Sequence, residues 1–245
     1  MVIHFSGGKD SLVVLHKYKD DPSLEAVMFG DTGAVYPHMI QFIREICEKW
    51  NVPLVMVKPE RDIHAYQEEH GLPSDMVPTT RSPEFAHVAK GNKQKIQSHI
   101  QCCGNMLWKP LYFASLKTKD KIVYRGIKNS DEHGTLPSGT VDENGVTWVN
   151  PIWDWSDEDV FKYLADNKIE MPEHYKDVNA SFDCWLCTAH IHSPTDKGRL
   201  VWTKKNYPTY WRPIMNRFKK LRQAINEEMA VIDKSIDFVL NRGNE

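Results

Sequence analysis

Apolar and polar positions along the first half of the chain follow two alternating rhythms. Val2-Ile3-His4-Phe5 is a short apolar run that predicts a buried strand, and Ser6-Gly7-Gly8 breaks it with a turn. From Asp10 to Tyr18 the positions Leu12, Val13, Val14 and Leu15 make one broad apolar face, which predicts a helix. The cycle then repeats. Ala26-Val27-Met28-Phe29 predicts a second strand that ends at Gly30-Asp31-Thr32-Gly33. Met39, Ile40, Ile43, Ile46, Cys47 and Trp50 fall at helical spacing over 37–50. Two more strands are predicted at 53–57 and 121–126. Short apolar strands separated by helices of roughly 10–15 residues imply βαβ units and a parallel sheet. The expected fold is α/β, with a doubly wound, mostly parallel sheet.

The rhythm weakens elsewhere. Residues 60–100 are polar and mixed and predict helix and loop. In 141–149, Asn144-Gly145 is a hairpin turn signal. Ser156 is a good N-cap with Asp159 three residues on, and Val160, Phe161, Tyr163 and Leu164 then predict a short helix. After Asp177 the alternation stops. The expected division is a nucleotide-binding domain over 1–176 and a cysteine-containing, basic and aromatic C-terminal region over 177–245. Composition supports a soluble, folded chain: of 245 residues 41% are hydrophobic and 26% charged, too apolar for disorder. No apolar run is long enough to cross a membrane, and no export signal opens the chain, so a cytoplasmic location is expected. Five cysteines are too few for a disulfide scaffold, and clustered cysteines in a reducing compartment point to metal or redox chemistry.

Ser6-Gly7-Gly8-Lys9-Asp10-Ser11 lies between the first strand and the first helix. That position makes an anion site. Glycines let backbone N–H groups approach a phosphate, the helix N-terminus adds partial positive charge, and Lys9 adds a full one. Ser6 and Ser11 can donate hydroxyls. The spacing is neither that of the Walker loop nor that of the dinucleotide fingerprint.

This hexapeptide resembles the PP-loop of ATP pyrophosphatases. Asp31-Thr32-Gly33 after the second strand, and Pro151-Ile152-x-x-Trp155-Ser156-x-x-Asp159-Val160, resemble the phosphoadenosine phosphosulfate (PAPS) reductase branch of that superfamily. The branch includes DNA phosphorothioation sulfurtransferases. The resemblance runs from about residue 2 to 190. It implies an adenine nucleotide α-hydrolase-like fold. It also implies an adenine nucleotide, ATP with Mg²⁺, bound through Ser6, Gly7, Gly8, Lys9, Asp10, Ser11, Asp31, Thr32, Gly33, Gly126 and Lys128, with Lys9 and Asp10 serving catalysis. The intact loop resembles members that cut ATP between the α and β phosphates. Reductases of the branch carry a degraded loop. In Gly126-Ile127-Lys128-Asn129-Ser130-Asp131-Glu132, Lys128 takes the place of the family's arginine and Asp131 that of its glutamate. Lysine keeps the charge and loses the bidentate fork.

Cys102-Cys103 and Cys184-x-x-Cys187 form two local pairs. Four thiolates so arranged suit a tetrahedral metal or an iron–sulfur cluster. Adjacent cysteines are awkward for structural zinc, which remains an alternative beside plain or disulfide-forming thiols. The order Cys-Cys…Cys-x-x-Cys, with Lys109-Pro110-Leu111 following, resembles adenylylsulfate reductases and implies a [4Fe–4S] cluster. Those reductases also end in a Glu-Cys-Gly-Leu-His-like tail carrying the nucleophilic cysteine. No cysteine follows Cys187 here, which sets the expectation against a reductase. Cys47 lies on an apolar helix face and reads as a small buried hydrophobe.

Residues 197–222 hold nine basic residues and no acidic one: Lys197, Arg199, Lys204, Lys205, Arg212, Arg217, Lys219, Lys220 and Arg222. Trp202, Tyr207, Tyr210, Trp211 and Phe218 are interleaved. Basic side chains track phosphates and aromatic faces stack on bases, so nucleic acid is an expected partner. His4 is expected to be a satisfied polar group in the sheet, His190 and His192 to be surface or supporting groups, and Trp153 and Trp155 to be core. The leading expectation is ATP-driven sulfur transfer, drawing on a sulfur donor protein or a thioredoxin-like reductant. Reduction of activated sulfate to sulfite, or a non-catalytic nucleotide-binding module, are the alternatives.

Overall fold

A computed structural model describes residues 1–74, 96–131, 137–182, 184–191 and 194–242. The chain runs β1 (Val2–His4), α1 (Lys9–Tyr18), β2 (Ala26–Gly30), α2 (Pro37–Lys49), β3 (Leu54–Val57), α3 (Ile63–His70), β4 (Leu72–Ser74), β5 (Ile96–Ser98) and α4 (His99–Cys103). A π-helical turn at Gly104–Trp108 leads into α5 (Lys109–Ser115), β6 (Ile122–Arg125), β7 (Thr140–Val141), β8 (Thr147–Val149) and α6 (Asp157–Asp166). A 3₁₀ turn at Glu173–Lys176 precedes α7 (Pro194–Asn206) and α8 (Pro208–Arg242).

The chain divides into two compact units, each made of two segments. The first comprises Met1–Asp62 and Cys103–Trp185, the second Ile63–Cys102 and Leu186–Glu245. The sequence had suggested one cut after residue 176.

The first unit holds the central sheet, in the order β3-β2-β1-β6-β8-β7. All neighbours are parallel except the β7–β8 pair at the edge. Successive βαβ crossovers build outward from β1 to β3. The chain then returns to the other side of β1 to add β6. That reversal, between β1 and β6, is a topological switch point. The loops leaving the carboxyl ends of these two strands diverge there and open a crevice where such folds bind ligands. Val2, Met28, Val123 and Trp148 alternate onto one face and pack with Leu111, Tyr112 and Ala114 around α5. Ile3, Val27 and Phe29 alternate onto the other face and are equally buried, as a parallel sheet covered on both sides requires. The β7–β8 hairpin turns at Gly145, whose φ of +79° suits only the residue without a Cβ.

In the second unit, β4 and β5 form a separate two-stranded parallel sheet within the region that had read as helix and loop. Residues 75–95 of that region lie outside the described residues. Among the described residues no helix is long and apolar enough to cross a membrane.

Candidate functional site

The loop after β1 is shaped by its own side chains. Gly7 has φ +79°, and a Cβ there would lie 2.8 Å from Met39 Cε. Ser11 Oγ donates to Gly8 O at 3.0 Å and accepts from Ser6 N–H at 3.3 Å, while Ser6 and Ser11 hydroxyls lie 3.1 Å apart. The serines therefore brace the loop as α1 begins. The loop after β6 meets it closely. A Cβ on Gly126 would lie 2.5 Å from the backbone C of Asp10 and N of Ser11. Glycine at 126 is what lets the β6 loop pass against the first turn of α1, and so sets Lys128 beside Lys9.

The two lysines meet two carboxylates. Lys9 Nζ lies 3.0 Å from Asp10 Oδ2 and 2.7 Å from Asp157 Oδ1. Lys128 Nζ donates to Asp10 Oδ1 at 2.9 Å and also to Asp157 Oδ1, with Asp131 Oδ1 at 3.8 Å. Lys128 is nearly enclosed, its side chain 4% exposed against 57% for Asp157. Burial pulls the Lys128 pKa down, but hydrogen bonds to Asp157 and Asp10 outweigh it and hold the ammonium above its ordinary range. The same bonds, from Lys128 first and Lys9 second, hold the Asp157 carboxyl below its ordinary range.

These groups line an open cleft of about 700 Å³ with Asn129, Ser130, Trp153, Trp155, Tyr175 and Ser181 among its walls. Tyr175 OH accepts from Lys9 N–H at 3.2 Å. The wall bearing Tyr175 is anchored by a histidine pair. His174 Nε2 lies 2.9 Å from Ala180 O, and a carbonyl only accepts, so Nε2 carries the proton. Its Nδ1 then accepts from His38 Nε2–H at 3.0 Å. His174 also stacks on Phe182, with ring centroids 4.1 Å apart. Burial pushes both histidines down to about 4.

Of the expected site residues, Lys9, Asp10 and Lys128 line this cleft. Asp31, Thr32 and Gly33 lie at the end of β2. Asp31 and Thr32 are buried, and Asp31 accepts from Gly33 N–H at 2.9 Å with Lys58 Nζ 3.5 Å away. Glu132 lies outside the described residues. Asp157, Tyr175 and Ser181 were not anticipated. Trp153 and Trp155, expected in the core, instead stand half-buried in the cleft wall, and Lys17 lies over the Trp155 ring at 5.1 Å. A turn over 151–154 precedes α6 and carries these indoles into the cleft lining. His4 is the satisfied sheet histidine expected, with Nε2 2.7 Å from Ser115 Oγ.

The four paired cysteines divide between the units, Cys103 and Cys184 in the first and Cys102 and Cys187 in the second. All are thiols. Cys102 is buried, which pushes it up to about 11, and Gln67 Nε2 donates to its Sγ at 3.3 Å. The donor chemistry suits an iron–sulfur cluster. Among the described residues, however, no group of three or more His, Cys, Asp or Glu is arranged to hold a metal ion. Cys47 is a buried thiol, pushed up to about 11 by burial, as its apolar helix face implied.

The basic tail is not one face. Arg199 is buried and its Nη2 donates to Cys187 O at 3.3 Å; Arg217 Nε donates to Leu186 O at 3.1 Å. Trp202 is buried too. These residues build the second unit's interior and brace the segment around Cys187. Lys204, Lys205, Arg212, Lys219, Lys220 and Arg222 are exposed. The side chain of Lys197, and His192, lie outside the described residues. His190 packs its ring against His99, centroids 4.9 Å apart.

Residues 1–190 match the phosphoadenosine phosphosulfate reductase domain family. An adenosine 5'-phosphosulfate reductase of Rhizobium tropici is 26% identical over 177 residues, covering 70% of this chain and 88% of that protein. A phosphoadenosine 5'-phosphosulfate reductase of Alteromonas mediterranea is 25% identical over 193 residues, covering 78% of this chain and 70% of the relative. An uncharacterised protein of Methanocaldococcus jannaschii is 26% identical over 220 residues, 87% of this chain, which spans only 47% of that protein's length. Among solved structures, phosphoadenylyl-sulfate reductase from Candida auris shares the fold with a TM-score of 0.50 at 17% identity, over 74% of this chain and 80% of that one.

Proposed function

Because this chain belongs to the phosphoadenosine phosphosulfate reductase domain family, we propose that it binds an adenine nucleotide at the β1–β6 switch point and uses ATP to drive sulfur transfer. One observation carries the reading: two lysine ammonium groups, from the loop after β1 and the loop after β6, converge on one point at the helix N-terminus. That is a receptor for phosphate oxygens.

In this reading an oxygen of the acceptor attacks the α-phosphorus of ATP. The bond to the β-phosphate breaks and pyrophosphate leaves with the charge. Lys9 and Lys128 stabilise that developing charge, because they are fixed before the reaction and need no reorganisation. The Ser6–Ser11 brace fixes the loop's shape beside the two lysines. Asp10 holds both lysines and would be the carboxylate to help hold a magnesium ion accompanying ATP. A sulfur nucleophile, a persulfide or sulfide, then displaces AMP from the adenylated acceptor. The four cysteines Cys102, Cys103, Cys184 and Cys187 are our candidates for an iron–sulfur cluster, with zinc as the alternative, and no step is routed through them. The exposed basic residues of 204–222 support a nucleic-acid acceptor, and residues 177–245 are proposed as the part that supplies it.

A reductase reading has its own support, since two of the relatives bear reductase names and the cysteine pairs resemble theirs. The two are separated by product. Pyrophosphate release from ATP, lost in Lys9→Ala with the fold retained by circular dichroism, supports the first. Thiol-dependent sulfite release from adenylyl sulfate without any pyrophosphate release from ATP overturns it in favour of reduction.

A further inference from the structure

The two lysines of the cleft do not merely sit near acidic groups. Both donate to one and the same oxygen, Asp157 Oδ1. A single oxygen held between two ammonium groups is how a non-bridging phosphoryl oxygen is held between two cations. Asp10 also contacts both lysines, from Oδ1 at 3.1 Å to Lys9 and 2.9 Å to Lys128. The two carboxylates are nevertheless unlike. Asp10 neighbours Lys9 on α1, and its side chain is 23% exposed. Asp157 comes from a different element and is 57% exposed, so it closes the lysine pair from the solvent side.

We infer that Asp157 is an internal stand-in for a phosphate group. It occupies the lysine subsite when no ligand is bound and is displaced when an anionic phosphoryl or sulfuryl oxygen enters. The inference rests on the nucleotide reading of this cleft. Three features make the exchange workable. Lys128 is enclosed but keeps Asp10 2.9 Å away as a counter-charge, so displacing Asp157 never leaves a buried ammonium unpaired. Asp157 is the first residue of α6, so its carboxylate, once displaced, stays beside a helix N-terminus that favours negative charge. The helix start itself is held by Ser156 and Asp159, which form a complete capping box, so Asp157 can move without unwinding α6. The device also selects. A neutral carbonyl or hydroxyl oxygen cannot repay the loss of two charged hydrogen bonds, whereas a phosphate oxygen can.

The test is Asp157→Asn against wild type, titrated calorimetrically with pyrophosphate and with α,β-methylene ATP, each with EDTA and with Mg²⁺. Removing a charged competitor from a partly exposed pair should tighten pyrophosphate binding in EDTA by roughly 2- to 5-fold. Unchanged or weaker binding in EDTA overturns the inference. Tightening in EDTA with weakening only in Mg²⁺ keeps the stand-in role and adds a metal contact; weakening in both makes Asp157 a ligand-binding residue and sinks the proposal. If neither protein binds either probe while both melt as folded, the nucleotide reading itself fails and the inference falls with it. Because the capping box is untouched, Asp157→Asn is expected to keep its helix content, checked by circular dichroism.

Discussion

Gly126→Ala tests the contact on which the whole site depends. The added Cβ would lie 2.5 Å from Asp10 C, 2.5 Å from Ser11 N and 2.7 Å from Ser11 Cα. Non-bonded carbon pairs sit best about 3.5–4.0 Å apart, so the overlap is about 1 Å. All three atoms are backbone in the first turn of α1, and none can rotate aside as a side chain would. Either α1 or the β6 loop must move. Overpacking costs about 1–3 kcal/mol, and a rigid backbone contact belongs at the upper end. About 3 kcal/mol is roughly two orders of magnitude in the folding equilibrium. For a chain of this size it lowers the melting temperature by about 6–12 °C. The shift also separates Lys128 from Lys9, so pyrophosphate affinity should fall by more than tenfold in the protein that remains folded. The assays are thermal melting by circular dichroism and calorimetric titration with pyrophosphate. Gly145→Ala supplies the contrast. It places a Cβ at φ +79° with nothing within 4 Å, in the hairpin away from the cleft, so it should cost stability and leave affinity alone. If Gly126→Ala melts with wild type and binds equally well, the close approach of β6 loop and α1 is not what builds the site.

Two further outcomes follow from the buried groups. His38 and His174 are each pushed down to about 4 by burial, while unfolded histidine titrates near 6.5. Between those values the unfolded chain binds more protons, so stability falls as pH drops from 6.5 towards 4 and is fully present above it, by a few kcal/mol for the coupled pair. Urea midpoints at pH 7.5 and pH 5 should differ, and His38→Gln should reduce the difference; a flat profile would contradict the pairing. Cys184→Ser, purified without oxygen, should lose iron relative to wild type if the four cysteines hold a cluster, and iron content equal to wild type would remove Cys184 from the ligand set.

What the sequence revealed followed the strength of its local signals. The strands β1, β2, β3 and β6 were legible to within a residue or two, because each is a short, largely apolar run bounded by turns. The capping box at Ser156 and Asp159 was readable from spacing alone. Asp157, between them, was not. In the first turn of a helix an acid ordinarily means only favourable dipole electrostatics, and its contact with Lys9 spans 148 residues of sequence. Tyr175 and Ser181 were hidden for the same reason, since nothing local ties the turn after α6 back to the loop after β1. β4 and β5 have three residues each, too short to show a period. The basic tail was legible only as a count, because charge counting ignores direction. Arg199 and Arg217 point inward to carbonyls of 186–189, and only helical geometry shows which members of the run face out.

The charge of the cleft constrains what it can bind. Its walls carry Lys9 and Lys128 against Asp10, Asp131, Asp154 and Asp157, so the lining is formally more acidic than basic. A free polyphosphate entering such a cleft meets two fixed cations and a surplus of like charge. Two remedies are physically available, a divalent cation arriving with the nucleotide or withdrawal of a carboxylate from the lysines. Asp10 is braced against both ammonium groups from the same helix as Lys9 and is poorly placed to leave. Asp157 is exposed and sits at the end of its helix. Withdrawal of Asp157 therefore removes one negative charge from the lysines at the moment a phosphate oxygen arrives, while Asp10 stays in place. The surplus of aspartate, which at first sight argues against an anion site, is what such an exchange requires.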